Sequence, residues 1–240
     1  MPPDAVNFST KVALTFDCYG TLIDWETGIL AAIQPVLRAH HVELPDESLL
    51  ELYAELESGA EAGPYRPYTE ILAAVMRGFG ERLHFEASRA DEAALVGSVG
   101  DWPAFADSAD ALAALKRRFK LAIISNIDDA LFAASQRRLR VDFDWIITAQ
   151  QARSYKPSHN NFRVALERIG LPSAQILHVA QSLFHDHVPA KELGLQTVWV
   201  NRRGAKRASG ATPPATAQPD LEVPDLKTLA ELAGVTPGAT

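Results

Sequence analysis

The chain has almost no feature of a secreted or membrane protein. Only one of its 240 residues is cysteine, Cys18, so no internal disulfide can form, which agrees with a reducing compartment. No apolar run approaches the roughly 18 residues that a membrane-spanning helix requires, and residues 1–10 lack the basic start and apolar stretch of a signal peptide. We therefore expect a soluble, cytoplasmic protein with no membrane partner.

Positive charge is also scarce. The formal net charge is -7, and the basic residues are scattered except for the stretch Arg202, Arg203, Lys206 and Arg207, which we interpret as a solvated loop. This distribution argues against a nucleic-acid partner. Hydrophobic residues, by contrast, make up 47% of the chain, which is enough for one large α/β domain or for a core domain that carries a smaller insertion.

Five short apolar runs, each followed by turn or polar residues, predict buried parallel strands. They cover residues 12–16, 121–125, 145–148, 176–179 and 197–200. Helical patterns separate the later runs, at residues 109–118, 129–138, 161–169 and 188–193, and a last helix is expected at 224–232. This alternation predicts an α/β fold with a doubly wound parallel sheet.

A long insertion separates the first two predicted strands. About a hundred residues lie between them, far more than one crossover connection needs. Residues 26–99 are rich in alanine, leucine and glutamate at helical spacing and lack a convincing strand. We predict that they form a helical cap domain inserted into a core domain of residues 1–25 and 100–240. Residues 202–219, rich in alanine, proline, glycine and arginine, are expected to form a surface loop.

Polar side chains follow four of the predicted strands. Asp17 follows the first strand, Ser125 and Asn126 follow the second, Lys156 comes a few residues after the third, and Asp186 lies in the loop after the fourth. Because ligands bind at the carboxyl ends of the strands in an open parallel sheet, these side chains are expected to meet. Together they offer a carboxylate nucleophile, a cation that keeps it ionised, donors for an anion and a second carboxylate that activates water.

The four motifs together resemble those of the haloacid dehalogenase superfamily. They read Phe-Asp-x-Tyr-Gly-Thr-Leu at residues 16–22, Ser-Asn at 125–126, Tyr-Lys-Pro at 155–157, and a late Asp186 before Ala190 and Gly194. The resemblance covers nearly the whole chain. It implies a Rossmann-like core with a helical cap inserted just after the first motif, and it implies that Asp17 forms a covalent ester with the substrate.

Two positions distinguish the branches of this superfamily. Its magnesium-dependent phosphatases have a second aspartate two residues after the nucleophile, where this chain has Tyr19, and a tyrosine with a pKa of about 10 is a poor base. In their last motif an aspartate helps to hold Mg²⁺, where this chain has the neutral Gln181. The chain instead resembles the L-2-haloacid dehalogenases, which use neither metal nor cofactor.

This closer resemblance implies a mechanism. Asp17 displaces halide at the α-carbon with inversion, and water then attacks the resulting ester at the Asp17 carbonyl. Lys156 keeps Asp17 ionised, and Asp186 orients or deprotonates the water. Thr21 and Ser125 hydrogen-bond the nucleophile or the substrate carboxylate. The residues expected to contact the substrate or the halide are Asn126, Tyr19, Arg66, Ser182 and Gln181.

The chain departs from the family pattern in its cap. Haloacid dehalogenases carry a halide-binding arginine about thirty residues after the nucleophile, where this chain has Ser48. Arg66, which lies between aromatic residues, is the substitute that we expect, with a solvated loop arginine as an equal alternative and Arg38 as a weaker candidate. His185 and His187 flank Asp186, and we interpret them as pocket wall or water-positioning residues rather than metal ligands.

The leading hypothesis is a hydrolase that cleaves carbon–halogen bonds in short 2-haloacids, with a homodimer as one possible assembly. The first alternative is a phosphatase with altered metal ligands. The second is a binding protein that kept the fold without catalysis. Retention of all four motifs argues against the second alternative.

Overall fold

The core of the protein is a six-stranded parallel sheet. The structure, a computed structural model, describes residues 6–204 and 210–236. The strands are β1 Ala13–Phe16, β2 Lys120–Ser125, β3 Trp145–Thr148, β4 Ile176–Ala180, β5 Gln196–Val200 and β6 Leu221–Val223. They lie in the order β3-β2-β1-β4-β5-β6, and every neighbouring pair is parallel. The predicted α/β fold with its doubly wound parallel sheet is confirmed.

The sequence patterns locate five of these strands to within one residue at each end. The edge strand β6 is not predicted, because its three residues, Leu-Glu-Val, are too few to show a pattern. Val12, expected to begin β1, lies just before it and is 41% exposed. Such differences at element ends are ordinary, since the hydrogen-bonded ladder and the apolar run need not begin at the same residue.

Helices cover both faces of the sheet. They are α1 Trp25–Ala39, α2 Asp46–Glu61, α3 Tyr68–Leu83, α4 Arg89–Ser98, α5 Ser108–Lys116, α6 Asp129–Leu139, α7 Ala149–Ala152, α8 His159–Ile169, α9 Val188–Glu192 and α10 Leu226–Leu232. Alternate strand residues point to opposite faces, so Ile124 packs with Phe162 of α8 while Ile123 joins the larger cluster with Leu112 of α5. No helix among the described residues is long and apolar enough to cross a membrane.

Helices α1 to α4 lie between β1 and β2, in the part of the chain where the sequence predicts an inserted cap, and we use that name for them. The division into a cap and a core domain, with its boundaries, stays a prediction. Core residue Asp128 attaches the cap to the sheet, because its carboxylate accepts hydrogen bonds from the backbone N–H groups of Tyr68 (3.0 Å) and Thr69 (3.1 Å) at the start of α3. Close packing also fixes α1. A Cβ on Gly28 would lie 2.2 Å from the Trp102 ring, so only glycine allows this approach.

The described residues between β5 and β6, 201–204 and 210–220, form a loop, but the prediction of a solvated surface segment is wrong for several of them. Arg202 pairs with Asp107 at 2.8 Å, Arg203 pairs with Glu26, and both arginine side chains are only 9% exposed. Ala211 is fully buried. Carboxylates that are distant in sequence bury these arginines, and composition alone does not reveal them. Lys206 and Arg207 lie outside the described residues.

Candidate active site

Asp17 lies directly after β1, at the carboxyl edge of the sheet. Its backbone N–H donates to the carbonyl oxygen of Val179 at 3.1 Å, which continues the pairing of β1 with β4. The Asp17 side chain is nearly buried, at 6% exposure. Its Oδ2 accepts a hydrogen bond from Thr21 Oγ1 (2.7 Å), and Thr21 Oγ1 in turn accepts one from the Gln181 N–H (2.9 Å). Two hydrogen bonds in series, from Gln181 to Thr21 and from Thr21 to Asp17, thus fix the orientation of the Asp17 carboxylate.

Lys156 supplies the positive charge beside Asp17. Its ammonium is 1% exposed and makes three hydrogen bonds, to Asp17 Oδ1 (2.9 Å), Asp186 Oδ1 (2.7 Å) and the Ile124 carbonyl oxygen (2.9 Å). Asn126 fixes the Lys156 backbone, because its Oδ1 accepts from the Lys156 N–H (2.6 Å) and its Nδ2 donates to the Lys156 carbonyl (3.0 Å). The Asn126 amide, which we expected to receive halide, therefore already positions Lys156.

Asp186 completes a buried triad with Asp17 and Lys156. It sits on one π-helical turn, Leu183–His187, and is completely buried. Its Oδ1 accepts from Lys156 and from His178 Nε2 (2.9 Å), while His178 Nδ1 contacts Thr15 Oγ1 at 2.8 Å. Asp186 Oδ2 has no hydrogen-bond partner among the described residues. Sequence reasoning missed His178, because a histidine inside an apolar strand gives no signal of what it faces.

The two carboxylates of the triad differ in how firmly they hold their charge. Burial raises the pKa of Asp17, and Lys156 opposes this shift only in part, since the negative charge of Asp186 raises that pKa further. Burial acts in the same direction on Asp186, but Lys156 and His178 outweigh it and hold the pKa of Asp186 below its ordinary value. Burial alone lowers the pKa of Lys156, yet the two carboxylates raise that pKa overall. Asp186 thus stays ionised to lower pH than an ordinary aspartate, whereas Asp17 takes up a proton more readily than one.

A small cavity of about 30 Å³ lies beside Asp17. This is room for one or two water-sized groups, so only a small ligand fits against the nucleophile. The core lines it with Asp17, Tyr19, Ser125, Asn126, Lys156, Ser182, His185 and Asp186, the cap with Trp25, Glu57, Glu61 and Tyr68, and the tail with Thr212. The structure therefore brings most of the expected site residues to one place.

Several predicted residues have defined surroundings in this cavity. Ser125 Oγ is buried and has no hydrogen-bond partner among the described residues, so its hydroxyl can serve a ligand. The Tyr19 hydroxyl contacts Ser135 Oγ at 2.8 Å, and burial raises the pKa of Tyr19 well above its ordinary value. Ser182 Oγ accepts from the His185 N–H (2.9 Å) and shapes the turn that carries Asp186.

The structure does not bring Arg66 or Gln181 to the cavity. The Arg66 side chain is exposed, and its guanidinium donates to the Ala60 carbonyl at 2.8 Å, near the end of α2. The Gln181 side chain lies beside Gly20 and lines a neighbouring hollow, while its backbone N–H serves Thr21. In this arrangement neither side chain is placed to bind a halide above Asp17.

The cap contributes acidic residues that sequence reasoning missed. Glu57 is 4% exposed and Glu61 is partly exposed, and both line the cavity. The signal was present in α2, where Glu57 follows Leu49 and Tyr53 at steps of four residues on the buried face of the helix. A glutamate on an apolar helical face indicates a paired or functional carboxyl group, because an unpaired charge there is costly.

Two tyrosines hold Glu57 in the cavity wall. The hydroxyls of Tyr53 (2.9 Å) and Tyr68 both donate to Glu57 Oε1. Burial raises the pKa of Glu57 to about 7, against the lowering effect of the two tyrosine hydrogen bonds. Burial and the charge of Glu57 also raise the pKa of Glu61 well above its ordinary value. The wall of the cavity formed by the cap therefore carries carboxyl groups that hold their protons close to neutral pH.

No group of three or more histidine, cysteine, aspartate or glutamate side chains within residues 6–204 and 210–236 is arranged to hold a metal ion. Asp17 and Asp186 are instead bridged by the Lys156 ammonium. A cation built into the chain thus occupies the space between the two carboxylates.

The class of protein follows from the parallel sheet, the cap and the buried triad of Asp17, Lys156 and Asp186. Together they define an α/β enzyme with its site at the carboxyl ends of the strands. The chain belongs to the haloacid dehalogenase-like hydrolases, whose family model matches residues 12–183. A second model, of similar hydrolases, matches residues 155–229. The prediction of the superfamily is confirmed.

Named relatives extend this assignment. The chain is 34% identical over 132 residues to the (S)-2-haloacid dehalogenase of Pseudomonas sp. (strain YL), an alignment that spans about half of each protein (53% of this chain, 54% of the relative). It is 27% identical over 237 residues to haloacetate dehalogenase H-2 of Moraxella sp. (strain B), covering 93% and 98% of the two chains.

Among solved structures, an L-2-haloacid dehalogenase from Xanthobacter autotrophicus with chloropropionic acid covalently bound superposes with a TM-score of 0.76 at 21% identity. The superposition covers 93% of this chain and 98% of that one. At this identity the likeness establishes the shared fold.

Proposed function

We propose that this protein is a hydrolytic dehalogenase of short-chain 2-haloacids, with Asp17 as the nucleophile. The observation that carries the proposal is the buried Asp17 carboxylate on the cavity wall, held by Lys156 at 2.9 Å and by Thr21 at 2.7 Å. The named relatives that are haloacid and haloacetate dehalogenases support the same reaction class.

The residue two positions after Asp17 favours attack on carbon over phosphoryl transfer. A phosphatase needs a second acid there to protonate the leaving alcohol, whereas a halide leaves without a proton. Tyr19 occupies that position, and its hydroxyl is hydrogen-bonded to Ser135. The raised pKa of Tyr19 keeps this hydroxyl protonated at neutral pH. The position two residues after the nucleophile thus carries no carboxylic acid for an alcohol leaving group.

In the first step an oxygen of Asp17 attacks the α-carbon of the haloacid from the side opposite the halogen. A carbon–oxygen bond forms, the carbon–halogen bond breaks, and its electron pair leaves with the halide. The α-carbon is inverted and an ester of Asp17 results. Lys156 favours this step because its charge keeps part of the Asp17 population ionised in a buried site.

In the second step water attacks the carbonyl carbon of the Asp17 ester. The acyl–oxygen bond breaks, the 2-hydroxyacid leaves, and Asp17 is restored with loss of one proton to solvent. Asp186 Oδ2 has no partner among the described residues and can orient this water. Its lowered pKa makes Asp186 a weak base, so we assign it water orientation and the support of Lys156 rather than proton abstraction.

The test is halide release from chloroacetate, fluoroacetate and both 2-chloropropionate enantiomers in the presence of EDTA. We expect release that survives chelation, and we expect Asp17→Asn to lose at least about a thousandfold in kcat/KM, which corresponds to about 4 kcal/mol. Asp142→Asn is the matched control, because Asp142 is exposed and far from the cavity lining.

A single turnover with excess enzyme in ¹⁸O-labelled water tests the ester directly. The product should carry unlabelled oxygen from Asp17, and the label should enter Asp17. Label that appears only in the product, or phosphate release that requires added Mg²⁺ with no halide release, would refute the proposal.

A further inference from the structure

The charges that line the cavity leave the carboxylate of a 2-haloacid without a cationic partner. The described lining residues include four acidic side chains, Asp17, Glu57, Glu61 and Asp186, and Lys156 is the sole lysine or arginine among them. An ammonium group has three N–H bonds, and Lys156 uses all three on protein oxygens. An anionic substrate therefore needs another hydrogen-bond donor.

Glu57 has the geometry of such a donor. Both tyrosine hydroxyls converge on its Oε1, and no described residue hydrogen-bonds its Oε2. The Glu57 side chain is only 4% exposed, yet Glu57 is one of the residues that line the cavity beside Asp17. Ser125 lines the cavity from the core side, and its buried hydroxyl has no hydrogen-bond partner among the described residues.

We propose that Glu57 binds the substrate carboxylate as a neutral carboxylic acid, donating a hydrogen bond from Oε2, and that its ionisation expels the substrate. This inference rests on the proposed dehalogenase function and adds the residue by which the cap recognises an anionic substrate. A carboxylic acid kept neutral by an apolar site is a strong donor, whereas the same group ionised offers only acceptors and repels an anion.

The groups that face Glu57 fit this role. Tyr53 and Glu61 share α2 with it, Tyr68 approaches from α3, and Tyr155 and Lys156 approach from the core loop. Burial raises the pKa of Glu57 to about 7, so the group changes its charge near neutral pH. The Asp17–Lys156–Asp186 triad adds no net positive charge that would favour an ionised Glu57, because the ionised Asp186 alone balances Lys156.

The experiment compares kcat/KM for chloroacetate at pH 6 and pH 8 in the wild type, Glu57→Gln and the control Glu51→Gln, which alters an exposed glutamate on the same helix. With a pKa of about 7 the protonated fraction of Glu57 falls about tenfold over this interval, so wild type and control should lose about tenfold. Glu57→Gln keeps a neutral donor at every pH and should lose much less activity than the wild type over this interval, with Glu61 as the remaining titrating carboxyl group of the cap.

A second variant shifts the pKa of Glu57 instead of removing the titrating group. Tyr68→Phe deletes a hydrogen bond that lowers the pKa of Glu57, so its alkaline loss of activity should move to higher pH. A merely structural role of Tyr68 would not move the pH profile. This variant also decides the matter should Glu57→Gln fail to fold, which circular dichroism reports.

Binding of propionate, which has no halogen, separates this inference from the proposed reaction. By calorimetry its Kd should rise about tenfold from pH 6 to pH 8 in the wild type and stay constant in Glu57→Gln. Propionate binding with this pH dependence but no halide release would refute the proposed dehalogenase function and leave the role of Glu57 in binding intact. A pH profile that is unchanged in Glu57→Gln or Tyr68→Phe, or a folded but inactive Glu57→Gln, would overturn the role of Glu57.

Discussion

The buried Glu57 makes the stability of this protein depend on pH in a direction opposite to that of most carboxylates. Its pKa is raised from 4.5 to about 7 in the folded state, mainly because burial disfavours the charged form. The folded protein therefore keeps a proton that the unfolded chain releases above pH 4.5. The contribution of Glu57 to stability falls as pH rises from about 4.5 to about 7, and that contribution is constant beyond this interval. Glu57→Gln removes this contribution.

The magnitude follows from the shift in pKa. The rise in the pKa of Glu57 from 4.5 to about 7 is worth about 3 kcal/mol in all, and most of it falls between pH 5 and pH 8. Glu61 acts in the same direction, because burial and the charge of Glu57 raise its pKa. We therefore expect the stability of Glu57→Gln relative to wild type to improve by about 2–3 kcal/mol from pH 5 to pH 8.

Urea unfolding at the two pH values, followed by circular dichroism, measures this double difference. Glu51→Gln provides the control on the same helix and should show no change. The comparison cancels the titrating groups that the variants share and that do not interact with Glu57, Asp17 among them, whereas Glu61 adds to the difference with the same sign. A double difference below about 1 kcal/mol, or one of opposite sign, would refute the reasoning about burial of Glu57.

Three further substitutions test other parts of the structure. Lys156→Met leaves the Asp17 and Asp186 carboxylates buried without their cation. We expect the free energy of unfolding in urea to fall by about 3–5 kcal/mol and halide release to be lost. Near-native stability would contradict the importance of this triad. Tyr19→Phe loses the hydrogen bond to Ser135, so we expect about 0.5–1.5 kcal/mol of destabilisation and a kcat within about threefold of wild type. A much larger loss of kcat would show that the Tyr19 hydroxyl takes part in the chemistry. Gly28→Ala places a Cβ 2.2 Å from the Trp102 ring and should lower stability by about 1–3 kcal/mol, and an unchanged urea midpoint would contradict this packing.

The sequence patterns located the core fold because each strand is a separate local signal. Five apolar runs correspond to β1 to β5 within a residue at each end, and the spacing between the first two implies the inserted helical cap. Asp17, Lys156 and Asp186 were identifiable for the same reason. Each follows a strand, and parallel strands bring their carboxyl ends to one edge whatever the details of packing.

Sequence reasoning failed where partners come from distant parts of the chain. Arg66 follows α2 among aromatic residues, yet its guanidinium is bonded to Ala60 and is exposed. Arg202 and Arg203 look like solvated loop residues, yet carboxylates from elsewhere in the chain bury them. Neither outcome has a local signature, because composition and periodicity do not specify which faces of two elements will dock.

By itself, the sequence determined that this protein is a parallel α/β hydrolase of the haloacid dehalogenase-like family with a carboxylate, a lysine and a second carboxylate at one edge of its sheet. Only the tertiary structure decided what faces them. The docking of α2 and α3 over the sheet brought Glu57 and Tyr68 into the wall of the cavity beside Asp17, with Tyr53 behind them as a second donor to Glu57. Strand direction places residues by chain connectivity, whereas the chemistry across a cavity depends on side-chain packing between elements that are far apart in sequence.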